Sequence, residues 1–182
     1  MRLVFMVEER SMKELLEVLL LKILPSDYEK PLIIPHNGKK DLEKSIPKKL
    51  RAWQNSNDKF IIVHDQDSND CKTLKANLLS LCKDGRNDCL IRIVCVELES
   101  WYFGDLAAVS CAYGKNYTSL SANRKYREPD RLRNAKEEFR KLVPLYRPIS
   151  SAKEIASHMK PDQNTSHSFS VFVSGVRKMC CI

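Results

Sequence analysis

The chain has 182 residues, 43% hydrophobic and 30% charged, the balance of a folded protein with one full core rather than a disordered chain. A formal net charge of +8 and a pI near 9.1 favour a polyanionic partner, nucleic acid first, without specifying a fold; a merely soluble basic protein is the alternative. Residues 1–7 are apolar but end at Glu8 and Glu9, too short for a secretory signal. Residues 15–24, interrupted by Glu17 and Lys22, cannot span a bilayer, so a cytoplasmic protein with no membrane partner is expected. The 7 cysteines show no paired zinc-type spacing and read as reduced thiols. Cys180 and Cys181 suggest no role beyond a frayed terminus.

In chain order, residues 2–7 read as a buried strand. Ser11 and Glu14 form a capping-box pattern opening a helix that carries Leu15, Leu16, Leu19, Leu20 and Ile23 and stops at Pro25. Residues 31–35 enclose a second strand, His36-Asn37-Gly38 is a turn, and a helix follows over residues 40–53, with Pro47 set to kink or delay it. The β-branched run 60–63 suits a strand buried on both faces. Leu74, Leu78 and Leu81 mark a helix over 70–83, Asp84-Gly85-Arg86-Asn87 a turn, and residues 90–96 a fourth strand with Arg92 as its exception. This alternation predicts an α/β fold with a mostly parallel central sheet and helices on both faces.

Beyond Val96 the pattern becomes helical: a helix over 97–108, a basic stretch bearing Tyr113, Tyr117 and Tyr126, and a helix over 129–142. A second capping-box pattern follows at Ser151 and Glu154, then a last helix over 166–178. The expected organisation is an α/β core over residues 1–110 and a basic helical extension over 111–182, packed on it as one domain.

Sites in parallel α/β sheets form beyond the carboxyl ends of the strands. Here the first strand exits into Glu8 and Glu9, the third into Asp65 and Asp67, the fourth into Glu97 and Glu99. If the third strand stays extended, Asp65 and Asp67 face one side, and such paired hard oxygens suit Mg²⁺ or Mn²⁺. The alternatives are helix capping by Asp67 or Ser68 and placement of Glu8 and Glu99 near helix N-termini. His36-Asn37-Gly38-Lys39 has the look of a phosphate-contacting turn, with Lys39 meeting the anion; a plain turn is the alternative. His64 alternates away from Asp65 and reads as a core or capping histidine. Arg124, Lys125, Arg127 and Arg131, with Tyr117 and Tyr126, suggest backbone clamps and stacking rings for nucleic acid; a solvated basic face is the alternative.

Val7-Glu8 after a first strand and Asp65-Gln66-Asp67 after a later one resemble the Toprim fold of topoisomerases, primases and OLD-type nucleases. The match extends to an uncharacterised bacterial Toprim-like family, DUF4276, through residues 7–14, 36–42, 64–68, 97–102 and 168–177. The resemblance implies a Toprim-like (Rossmann-like) sheet with Glu8 as general acid/base and Asp65 and Asp67 as metal ligands. Glu97 or Glu99 would complete the shell, with Glu9 as a possible additional acid. It implies a Mg²⁺-dependent phosphoesterase, a nuclease on DNA or RNA, and by analogy an ATPase partner in phage defence. Glu9 replaces the usual Toprim glycine, and Met12 stands where the nuclease branch often has a second acid. A non-catalytic Toprim-like partner or sensor subunit is the rival.

Overall fold

The structure, a computed structural model, describes residues 1–83, 85 and 88–181. Of the turn expected at 84–87, residues Asp84, Arg86 and Asn87 lie outside the described residues. The chain folds in the order β1 (Leu3–Val7), α1 (Arg10–Ile23), β2 (Leu32–Pro35), α2 (Lys39–Ala52), β3 (Lys59–Asp65), α3 (Cys71–Lys83) and β4 (Leu90–Val94). It continues through α4 (Glu99–Phe103), α5 (Leu106–Tyr113), 3₁₀ turns at Thr118–Ala122 and Pro129–Arg131, α6 (Ala135–Leu142), α7 (Pro148–His158) and α8 (His167–Met179). The protein is therefore α/β, with eight α-helices among the described residues.

The four strands form one all-parallel sheet in the order β2-β1-β3-β4. The chain leaves β1 toward one edge and later returns beside it to build toward the other. The switch point, where parallel α/β sheets open a crevice, thus lies between β1 and β3. In register Val7 pairs with Val63 and Asp65 with Val94, so Glu8 leaves β1 opposite His64, and its carboxylate accepts the Asp65 amide.

Alternation of side chains divides the core. Phe5, Val7, Ile61 and Val63 face α1 and α8, meeting Leu15, Leu16, Phe169 and Phe172. Val4, Met6, Phe60 and Ile62 face α2 and α3, meeting Leu42, Ile46, Leu74 and Leu78. Each fully buried large side chain contributes roughly 1.5–3 kcal/mol, and that drive fixes which face every strand residue takes.

The C-terminal helices close the first face. α7 packs along α1 and α5, and α8 crosses β4. The Lys22 ammonium donates to the carbonyls of Ala156, Ser157 and Met159 at 2.9, 2.6 and 2.8 Å, satisfying the open C-terminal end of α7. The division expected at residue 110 falls inside α5.

Several expected boundaries move, each for a local reason. α1 starts at Arg10 with Glu9 as its cap residue, and Ser11 donates to the Glu9 carboxylate instead of capping the helix. α7 starts at Pro148, whose fixed φ suits a first helical position, so Ser151 lies inside it and accepts from the Arg147 amide. Pro47 sits within a continuous α2. The helix expected over 97–108 breaks at Gly104, pressed against Asn164 and Ser166, and Asp105 caps α5 through the Ala108 amide. The helix expected over 129–142 is split by left-handed Asn134 (φ 54°), while Asp130 is drawn away to the Ser168 amide at the start of α8.

Candidate functional site

β3 ends at Asp65 and the backbone turns, with Asp67 in the left-handed region (φ 52°). The extended geometry expected to align Asp65 with Asp67 does not form. Alternation still governs Asp65, which follows Val63 onto the α1 face. There it lines a small pocket with Glu8, Glu9, Met12, Glu99 and Lys136. The free space is about 10 Å³, room for roughly one water-sized sphere.

Crowding sets the electrostatics of this pocket. Asp65 is held well above the usual carboxylate range, first by burial and then by Glu8 and Glu99. Glu8 is raised by burial, against the pull of His64 and the Asp65 amide, which it accepts at 3.3 Å. Glu99, 3% exposed, is also raised by burial, offset in part by the Tyr146 hydroxyl, which donates to Oε1 at 2.6 Å, and by Lys136. Acids that share a desolvated site resist ionising together.

The remaining predicted acids lie elsewhere or on the margin. Glu9 is exposed at the pocket mouth, 3.7 Å from the Lys136 ammonium. Glu97 accepts the Lys136 amide at 2.9 Å. With Asp67 it lines a neighbouring open cleft rather than the Asp65 pocket. Asp67 is close enough to raise Asp65, yet its carboxylate pairs with Lys39 at 2.8 Å. The pocket thus brings Glu8, Glu9, Asp65 and Glu99 together and leaves Asp67 and Glu97 next door.

Lys39 is an acid partner, and the turn before it is not an open anion nest. The Asn37 amide donates to Asp41 and the Gly38 amide to the Glu8 carbonyl. His64 is buried as expected, with Nδ1 donating to the Asp65 carbonyl at 2.6 Å, but that same nitrogen lies 3.5 Å from the Glu8 carboxylate. Tyr117 and Tyr126 are core residues; Tyr126 stacks on Phe103 with centroids 5.1 Å apart. Neither ring is free to stack on a base. Lys125 pairs with Glu138. Arg124 and Arg127 are exposed.

Sequence reasoning missed Lys136 and Tyr146. Both come from the helical half, more than thirty residues along the chain from any acid of the pocket, and no local pattern marks them.

Hard carboxylate oxygens around a sphere-sized space suit a cation such as Mg²⁺. Among the described residues no three His, Cys, Asp or Glu side chains already stand as a ligating set. Mg²⁺ needs no such cage, since it usually takes one or two carboxylates and keeps several waters. The donor chemistry therefore fits.

Fold and site together define an α/β protein whose all-parallel sheet opens, at its switch point, onto a carboxylate-lined pocket. Residues 7–177 match the family described as Domain of unknown function (DUF4276), and the chain belongs to that family. No curated protein and no solved structure matches it. No helix among the described residues is long and apolar enough to cross a membrane.

Proposed function

We propose that this chain is a Toprim-like, Mg²⁺-dependent phosphoesterase acting on nucleic acid. The observation that carries the reading is the convergence of Glu8 and Asp65, at the ends of β1 and β3, with Glu99, at the start of α4, on one ion-sized pocket. Crowded carboxylates whose pKa values are raised by burial and by one another are relieved when a divalent cation takes the place of protons. Asp65 and Glu99 would hold the ion, which when bound supplies charge and Lewis acidity to a phosphoryl oxygen.

The chain's own groups have distinct tasks in this reading. Glu8 retains a raised affinity for a proton beside the pocket, as a general acid/base requires. His64 fixes the Asp65 carbonyl and adds positive character near Glu8. Tyr146 orients Glu99 from behind. The net charge of +8 draws a polyanion toward the rim. An ATPase partner and a role in phage defence follow from the Toprim analogy alone.

A non-catalytic partner or sensor subunit is the second reading. One observation favours it: Lys39 and Lys136 already stand beside Asp67 and Glu9, so part of the rim is neutralised without an ion. A Mg²⁺ and Mn²⁺ titration of thermal stability separates the two. At a hundredfold excess over Kd, an ion bound only by the folded state adds about 2.7 kcal/mol, or roughly 5–11 °C for a chain of this size. The phosphoesterase reading expects that gain in the wild type and not in Asp65→Ala, with cleavage of DNA or RNA oligonucleotides abolished in parallel. Cleavage retained by Asp65→Ala sinks it, and absence of any ion response favours the partner reading.

A further inference from the structure

We propose that Cys82 and Cys89 form a reversible modification site, a dithiol oxidised to a disulfide by a small-molecule disulfide of the glutathione type. The pair stands apart from the phosphoesterase reading. It lies where α3 ends and β4 begins, at the amino end of the sheet, whereas the acidic pocket lies beyond the carboxyl ends of the strands.

The fold brings the two thiols together in one core. Cys82, in the last turn of α3, is 2% exposed and belongs to the cluster between the sheet, α2 and α3; Cys89, partly buried, packs against that same cluster beside Leu78 and Ile91. The Cys82 S–H donates to the Leu78 carbonyl at 3.3 Å, which leaves its sulfur to accept a hydrogen bond from the Cys89 thiol. That bond holds the Cys82 thiol below its usual value although burial opposes the shift, as a neighbouring thiol does in dithiol pairs. Cysteines that cannot be bridged are those whose side chains point apart; these two point at each other. Cys95 and Cys180 bond instead to the Ser168 and Tyr28 hydroxyls.

The backbone keeps this approach in place. The Gly85 amide donates to the Cys82 carbonyl at 3.0 Å, so the chain turns directly after the first thiol. Gly85 is pressed onto α2: a Cβ there would stand 2.6 Å from the Leu50 Cβ and 3.0 Å from its carbonyl carbon. Exposure then divides the roles. Cys89, the more accessible, gives up its proton and attacks one sulfur of glutathione disulfide, whose S–S bond breaks and releases one glutathione. Buried Cys82 gives up its proton, attacks the Cys89 sulfur of the mixed disulfide and displaces the second glutathione. The two thiols lose two electrons and two protons, and the small disulfide gains both as two glutathione thiols.

The test incubates the full native chain with glutathione disulfide and maps its cysteines by mass spectrometry. Lys83 and Arg86 lie between the two thiols in sequence, so trypsin leaves the linkage as two peptides joined by one disulfide, which dithiothreitol separates. This linkage is expected to be the main intramolecular one in the wild type. Closing a loop of eight residues should also raise Tm, by roughly 5–10 °C. Cys82→Ala should stop at the Cys89–glutathione adduct, Cys89→Ala should leave Cys82 unmodified, and neither should gain Tm on oxidation. The wild-type map needs no variant, so a variant that fails to fold leaves the test intact. A different main pairing, no linkage in the native chain, or an oxidised chain that melts at or below the reduced one would each overturn the proposal. An equal Tm gain in either alanine variant would do the same.

Discussion

Tyr146→Phe isolates the one hydrogen bond that supports Glu99 from behind. The Tyr146 ring packs on Phe139 and Tyr102 with centroids at 4.9 and 6.3 Å, and phenylalanine keeps both contacts. What is lost is the donor to Glu99 Oε1 at 2.6 Å, at a carboxylate only 3% exposed. Hydrogen bonds to charged groups contribute about 1.5–3 kcal/mol, which for a chain of this length lowers Tm by roughly 3–12 °C. The loss depends on pH. Burial raises Glu99 and the Tyr146 hydroxyl partly opposes that rise, so the variant pushes Glu99 up further. A group whose folded pKa is raised gives stability that is fully present below its unfolded pKa and is lost as pH rises through the folded one. The deficit of Tyr146→Phe is therefore smaller at pH 4, where more of Glu99 is protonated, and larger at pH 8, where more of it is ionised. Urea unfolding of both proteins at the two pH values measures it. A deficit under about 0.5 kcal/mol at pH 8, or an equal one at both, would refute the assignment of Glu99 as a buried carboxylate stabilised by Tyr146.

Asp65→Asn should be at least as stable as wild type at pH 8 without divalent ions and should lose that advantage toward pH 4. The raised Asp65 pKa makes wild-type stability fall as pH rises through it, and asparagine has no such loss; urea melts across pH 4–8 decide. Gly104→Ala should destabilise by about 1–3 kcal/mol: its Cβ would stand 2.0 Å from Asn164 Oδ1 and 2.9 Å from the Ser166 amide, although its φ of −70° suits any residue. Thermal melts check this. Lys39→Ala removes a pair that is 46% and 34% exposed and should change stability by less than about 1 kcal/mol, which a denaturant titration resolves.

How much of this was legible in the sequence differs from element to element. The βαβ alternation gave the parallel sheet because a buried strand must be apolar on both faces and an amphipathic helix on one, and both periods are written locally. For the same reason the acids Glu8, Asp65 and Glu99 could be picked out as strand-exit residues. The pairing of Asp65 with Asp67 could not: it assumed extended backbone, whereas Asp67 takes a positive φ and its amide donates to the carbonyl of Val96, 29 residues away. The tyrosines of the basic stretch suffered the reverse error, since a ring among arginines looks exposed until Phe103 is folded onto it. Helix starts at Ser11 and Ser151 were misplaced because a capping pattern states a preference that neighbouring contacts overrode at both sites.

By itself, then, the sequence determined what depends on near neighbours: strand and helix periods, the two-sided core, the excess positive charge and the acids at the strand ends. Only the tertiary structure decided which acids share a pocket and which are neutralised. Lys39 reaches Asp67 across 28 residues, Lys136 reaches Glu9, and Tyr146 reaches Glu99 across 47. Such partners are chosen by how helices stack on the sheet, through burial that is non-directional along the chain, and the free energy that fixes them appears only when distant segments exclude water together.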